Sequence, residues 1–185
     1  QSVLFITGMA GIGKSEVAKA YAQKNRKKYT NIIYLYYTGN LRKDIANLTF
    51  ADDSVEMNEE VRFQNHYKVM QRLHTDTLLI LDNFNVLPKD EPFLKELMKN
   101  DMQLLITSRC KLKNYDSIEI KELDKDKELK ELFYKHCPSA KRDLDSVSAI
   151  IEEVNCHTLT VCMAALTLEV SGMEPEELLQ KLRSC

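Results

Sequence analysis

Three of the five glycines in this 185-residue chain lie within six consecutive positions, directly after a short apolar run. Residues 8–15 read GMAGIGKS and fit the pattern GxxxxGK[ST]. Glycine lets a backbone turn tightly and approach a bound group closely, so that successive amides can surround an anion. An apolar run precedes the pattern and a helical pattern follows it, as a phosphate-binding loop requires. This feature commits the N-terminal part of the chain to a strand–loop–helix unit.

The loop predicts contacts with the phosphates of a nucleotide, because its amides and the start of the following helix both attract anions. We expect Lys14 to reach the β- and γ-phosphates, and Ser15 to bind Mg²⁺ through its hydroxyl. The predicted nucleotide-binding residues are Gly8, Met9, Ala10, Gly11, Ile12, Gly13, Lys14, Ser15 and Glu16.

A second motif, LLILD at residues 78–82, places an acid directly after four apolar residues. A phosphate-bound Mg²⁺ usually needs a carboxylate near the end of a neighbouring strand, so we predict Ser15 and Asp82 as its protein partners. The next residue is Asn83, at a position where an acid would activate water. Asparagine can hydrogen-bond a water but cannot accept its proton near neutral pH. We therefore expect slow hydrolysis unless another residue supplies the base.

A third motif, LLITSR at residues 104–109, ends an apolar run in polar residues. The guanidinium of Arg109 matches phosphate oxygens in a forked geometry and could report whether a γ-phosphate is present. The predicted catalytic residues are Lys14, Asp82, Asn83 and Arg109.

Alternating strand and helix patterns predict an open α/β sheet in the first two thirds of the chain. Several of the strands are apolar on both faces, as in a buried parallel sheet. The predicted strands are Val3–Thr7, Ile32–Tyr37, Thr77–Leu81, Met102–Thr107 and Ser117–Ile120. The predicted helices between them are 14–28, 58–73 and 92–99, and the acidic stretch 52–60 is interpreted as a solvated loop.

Beyond residue 121 only helical patterns remain, at 125–136, 144–154, 159–170 and 174–183. We therefore predict a P-loop nucleotide-binding domain over residues 1–121 and a small helical domain over residues 122–185.

Composition excludes several classes of protein. The net charge of −2 argues against a general nucleic-acid binder. No apolar run approaches the roughly 18 residues of a membrane span. The five cysteines form no CxxC pair and are expected as free thiols in a reducing cytoplasm. The chain opens on Gln1 without a signal-peptide pattern, so we expect a cytoplasmic protein and a fragment of a longer chain.

The stretches GMAGIGKS, LLILDN and LLITSR, in this order and ahead of a helical region, resemble the NB-ARC family of signal-transduction ATPases, in the STAND group. Glu122-Leu123 and 129–133 are similar to the segment that opens the family's helical domain. The resemblance implies a three-layer P-loop NTPase fold with a mainly parallel five-stranded sheet. In that sheet, the strand before Arg109 would lie between the phosphate-loop strand and the Asp82 strand.

The resemblance also implies a switch that binds ATP or ADP with Mg²⁺ and self-associates on activation, with sensor and effector domains outside this chain. HTLTV at 157–161 is similar to bacterial members and sits where the family has Gly-x-Pro-Leu near the adenine. Thr158 replaces that proline, so the adenine contacts are left open. The family's winged-helix domain, which supplies a phosphate-contacting histidine, is not expected within these 185 residues. His157 is an alternative nucleotide contact, but a histidine at the start of a helix is more often a capping or packing residue, which is the interpretation we favour.

Two other classes of function stay open at this point. One is a catalytically active ATPase or phosphotransferase, although only Lys111 and Lys113 stand where an arginine-rich lid would be expected. The other is a nucleotide-independent interaction scaffold on a P-loop fold, since one fold hosts many activities. A GTPase would be expected to carry an Asn-Lys-x-Asp motif, and the sequence has none.

Overall fold

The computed structural model describes residues 3–50, 53, 57–110 and 112–184. The chain divides into two compact units. The first unit comprises Gln1–Gly8 and Lys14–Ile120, and the second comprises Met9–Gly13 and Lys121–Cys185. Most of the phosphate loop therefore groups with the helical part of the chain.

The first unit is built on a five-stranded parallel sheet with the strand order β2-β3-β4-β1-β5. Its strands are β1 (Val3–Thr7), β2 (Asn31–Tyr36), β3 (Thr77–Asp82), β4 (Gln103–Ser108) and β5 (Ser117–Glu119). The predicted α/β fold class is confirmed. The strand that precedes Arg109, β4, lies between β1 and β3, which brings the ends of all three motif strands to one edge of the sheet.

Helices cover both faces of this sheet. They are α1 (Lys14–Lys24), α2 (Leu41–Ala46), α3 (Glu59–Met70) and α4 (Phe93–Leu97), with a 3₁₀ turn at Arg26–Lys28. On one face Ala18 of α1 packs with Ile6 and Ile80. On the other face Leu41 and the residues of α3 and α4 pack with alternate strand residues such as Leu79. The period of two along each strand thus produces the three layers.

The predicted helices in this unit are all longer than the observed ones, and one short helix was missed. The first helix ends at Lys24 and gives way to the 3₁₀ turn, instead of running to Lys28. The short helix α2 was not predicted, because six residues are too few to show a helical period. Asn40 starts it, since its side-chain oxygen accepts a hydrogen bond from the Lys43 N–H at 3.1 Å. Residues 52 and 54–56 of the predicted loop at 52–60 lie outside the described residues, and α3 already begins at Glu59.

The second unit is helical beyond residue 121. It contains α5 (Glu128–His136), a 3₁₀ turn (Pro138–Arg142), α6 (Leu144–Glu153), α7 (Thr158–Ser171) and α8 (Pro175–Arg183). Buried residues from all four helices form one core, including Phe133, Ile150, Val161 and Leu178. Helix α5 begins at Glu128, three residues later than predicted. The reason is that the Asp124 carboxylate accepts hydrogen bonds from the backbone N–H groups of Asp126 and Lys127, just before the helix.

The described part of the chain contains neither a membrane-spanning helix nor a disulfide bond. None of its helices combines the length and apolar character needed to cross a membrane. Four of the cysteines, Cys110, Cys137, Cys156 and Cys162, are free thiols, and Cys185 lies outside the described residues.

Candidate phosphate and magnesium site

Lys14 is the first residue of α1, and it is 9% exposed despite its charge. Its Nζ donates a hydrogen bond to the backbone carbonyl of Gly8 at 3.0 Å. Burial lowers the pKa of Lys14, the positive charge of Arg109 lowers it further, and Asp82 partly opposes both. The ammonium therefore lies in a site with excess positive charge, which an anion would relieve.

Asp82, the last residue of β3, accepts hydrogen bonds from three hydroxyls. Ser15 Oγ donates to Oδ1 at 2.8 Å, and Thr107 Oγ1 donates to the same oxygen. The hydroxyl of Tyr34 donates to Oδ2. Asp82 is 3% exposed. Hydroxyl groups therefore take the place of water at both of its carboxylate oxygens.

These hydrogen bonds decide the charge of the carboxyl. Burial by itself would raise the pKa of Asp82. The hydrogen bonds from Thr107, Tyr34 and Ser15, with a further one from the Asn83 backbone, outweigh burial and lower the pKa. Asp82 is therefore a buried carboxylate that stays ionised.

The pair of Ser15 and Asp82 fits Mg²⁺, which prefers oxygen ligands and keeps several waters and phosphate oxygens in its shell. The Ser15 hydroxyl donates its hydrogen to Asp82, so its lone pairs stay free to bind a cation. No group of three or more His, Cys, Asp or Glu residues that could hold a metal occurs among the described residues. Mg²⁺ bound with a nucleotide does not need such a group.

Asn83 adopts a left-handed backbone conformation with φ of 65°, which asparagine tolerates better than most residues. Its side-chain amide donates to the carbonyl of Tyr37 at 3.3 Å, and its side-chain oxygen accepts from Asn85 Nδ2 at 2.5 Å. Asparagine at position 83 therefore suits the left-handed backbone. This conformational reason is separate from the chemical one, which is that asparagine cannot accept a proton from water.

Arg109 directly follows β4, and its side chain is exposed. Its backbone N–H donates to Asn85 Oδ1 at 3.0 Å. Its positive charge lowers the pKa of Lys14, while Asp82 raises it, so the first unit brings the two cations and Asp82 into one electrostatic site. Glu16 points elsewhere, because its side chain is 77% exposed and pairs with Lys19 at 2.9 Å.

The remaining predicted loop residues, Met9–Gly13, belong to the second unit. There the carbonyl of Ala10 accepts a hydrogen bond from His157 Nε2 at 2.8 Å, and Nδ1 lies 3.1 Å from Thr160 Oγ1. Because a carbonyl only accepts, Nε2 carries the proton. Gly11 has a φ of +68°, and an added Cβ would lie 2.4 Å from His157 Cε1. His157 is therefore a packing residue of the loop, with no side-chain cap at the start of α7.

We expect Gly11→Ala to destabilise the chain by about 2 kcal/mol, from left-handed strain together with the contact on His157. Gly172→Ala is the matched control, because its φ is +65° and nothing lies within 4 Å of an added Cβ. Strain alone should cost it about 1 kcal/mol. Urea unfolding of both variants, each with and without His157→Ala, measures the difference. If His157→Ala does not reduce the effect of Gly11→Ala, the contact is not what requires glycine here.

Three residues of the site were missed as contributors from the sequence alone. Thr107 lay inside a recognised motif, and its position two residues before Arg109 was a usable signal. Tyr34 and Asn85 carried no signal, because their roles depend on which strand ends lie side by side.

The fold matches those of two solved proteins. AMPPCP-bound DnaA from Aquifex aeolicus superposes with a TM-score of 0.63 at 19% sequence identity, over 99% of this chain and 60% of that one. A DNA replication initiation factor gives a TM-score of 0.62 at 15% identity, over 97% of this chain and 58% of that one. At such identities the likeness shows the fold, and this chain spans less than two thirds of either protein.

No protein-family model matches the sequence. A search of curated proteins found no relative. Together with the sheet order and the phosphate loop, the likeness to the two solved proteins defines the class: the chain has a P-loop NTPase fold.

Proposed function

We propose that this chain is the ATP- and ADP-binding switch module of a STAND-type signalling or transcription-regulatory protein of the NB-ARC kind. The observation that carries the proposal is the hydrogen bond between Ser15 and Asp82, which joins the phosphate-loop motif to the acid of the second motif. Lys14, with its lowered pKa and its excess of positive charge nearby, completes a site suited to a magnesium-bound polyphosphate.

Each residue has a distinct task in this proposal. The backbone of residues 8–16 surrounds the phosphates, and Lys14 neutralises their charge. Ser15 and Asp82 hold Mg²⁺, which bridges phosphate oxygens and supplies charge neutralisation. Arg109, exposed beside the site, contacts the γ-phosphate and distinguishes ATP from ADP.

Slow hydrolysis is part of the same proposal. Asn83 follows Asp82 where a water-activating acid would stand, and its amide is engaged by Tyr37 and Asn85. Such a side chain cannot take a proton from water near neutral pH. The nucleotide then acts as a ligand that favours one of two states by binding it more tightly.

The organisation of the module is also proposed. Residues 1–121 are the nucleotide-binding domain and residues 122–185 the helical domain, in a cytoplasmic protein. We also propose that the full-length protein self-associates on activation, and that its sensor and effector domains lie outside this chain. The DNA replication role in the name of the second solved protein does not carry over to this chain at 15% identity.

A thermal-shift titration with ATP, ADP and GTP in the presence of Mg²⁺ tests the proposal. A nucleotide at about 100 times its dissociation constant should raise the unfolding free energy by about 2.7 kcal/mol. We expect a shift with ATP and ADP and negligible steady-state turnover. Fast turnover would favour an enzyme, and no shift with any nucleotide would favour an interaction scaffold.

A further inference from the structure

Tyr34 gives Asp82 a hydrogen bond that the phosphate-loop motifs do not supply. It lies on β2, two residues before Tyr36, which is the register partner of Asp82 on β3. Its hydroxyl donates to Oδ2, whereas the Ser15 and Thr107 hydroxyls both donate to Oδ1. Among these three hydroxyls, only that of Tyr34 donates to Oδ2.

The hydrogen-bonding capacity of the carboxylate makes this contact consequential. A carboxylate offers about four acceptor positions, two on each oxygen. Ser15 and Thr107 fill the two on Oδ1, and Tyr34 takes one of the two on Oδ2. The Asn83 backbone adds a further hydrogen bond, so the carboxylate is held in one orientation, and the Tyr34 hydroxyl is the side-chain donor that fixes Oδ2.

The chain contains an internal comparison for Tyr34. Tyr36 projects from the same face of β2, because residues two apart on a strand point the same way. Tyr34 is 40% exposed and Tyr36 is 54% exposed. Within the described residues the Tyr36 hydroxyl makes no hydrogen bond, although Tyr36 pairs directly with Asp82 in the strand register. The two tyrosines thus share a strand and a face but differ in their contact with the carboxylate.

We propose that Tyr34 is a positioning residue for Mg²⁺: its hydroxyl fixes Oδ2 of Asp82 and so holds the carboxylate in the orientation that receives the ion bound with the nucleotide. The inference rests on the proposed nucleotide function. Residues that orient a metal ligand from outside its shell typically change metal affinity by about 10- to 100-fold. Tyr34 belongs to this kind, since it contacts the acid rather than the phosphates.

The test compares Tyr34→Phe with Tyr36→Phe, each of which removes one hydroxyl and keeps the ring. The affinity for ADP is measured by calorimetry in EDTA and across a Mg²⁺ titration. We expect Tyr34→Phe to raise the Mg²⁺ concentration needed for half-maximal tightening by about tenfold. Its affinity for ADP in EDTA should equal that of the wild type, and Tyr36→Phe should match the wild type throughout.

The possible failures are distinguishable. If Tyr34→Phe needs the same Mg²⁺ concentration as Tyr36→Phe, or a lower one, the positioning role is overturned and the nucleotide function stands. An equal loss of ADP affinity in EDTA and in Mg²⁺ would also overturn the role, because it would mark a general structural defect. Absence of ADP binding by the wild type in both conditions would overturn the proposed function, and this inference with it.

Discussion

Replacing Lys14 with alanine will abolish the stabilisation of this chain by ATP and ADP. At about 100 times the wild-type dissociation constant, the expected loss is the whole nucleotide-dependent term of about 2.7 kcal/mol. The reason is that Lys14 is a nearly buried ammonium at the phosphate loop, in a site with excess positive charge. Chemical unfolding with and without nucleotide measures the effect.

The free Lys14→Ala protein should be as stable as the wild type within about 0.5 kcal/mol, because burial and Arg109 both oppose the ammonium. Lys24→Ala, an exposed substitution in the last turn of the same helix, is the matched control and should keep the full nucleotide effect. A normal nucleotide response from Lys14→Ala would contradict the assignment of the phosphate site.

Replacing Asp82 with alanine should have the second large effect, on both stability and Mg²⁺ dependence. Three hydroxyls would lose their acceptor, and the Thr107 hydroxyl, on a residue that is 1% exposed, cannot turn to water. An unsatisfied buried donor costs about 1–3 kcal/mol, so we expect a loss of about 2 kcal/mol in urea unfolding. Mg²⁺ should no longer tighten ADP binding. Asp90→Ala, at an exposed aspartate, should leave both properties unchanged.

The pH dependence of stability gives the Asp82 prediction a second readout. Because the folded-state pKa of Asp82 is lowered, its contribution is complete above the unfolded pKa of about 3.9. The contribution is lost as the pH falls below that value and through the folded pKa. Asp82→Asn keeps an acceptor oxygen but cannot titrate, so its stability should fall less steeply in acid than that of the wild type. Parallel acid unfolding curves for the two proteins would contradict this prediction.

Much of the fold could be predicted because its signals are local. The five strands lie within one or two residues of their predicted bounds, since each is a short apolar run between polar residues. The missed helix α2 and the shortened α1 are failures of the same approach. Six residues do not establish a helical period, and the basic stretch at residues 24–28 does not mark the residue at which α1 ends.

The sequence by itself determined the strand–loop–helix unit at Gly8–Ser15, the acid at Asp82 and the arginine at Arg109, because each depends on residue types at fixed spacing. Only the tertiary structure decided that Tyr34 contacts Asp82 and that His157 packs on Gly11. These pairs lie 48 and about 146 residues apart. Their contact depends on sheet order and on chain packing, which bring together side chains that no local pattern relates.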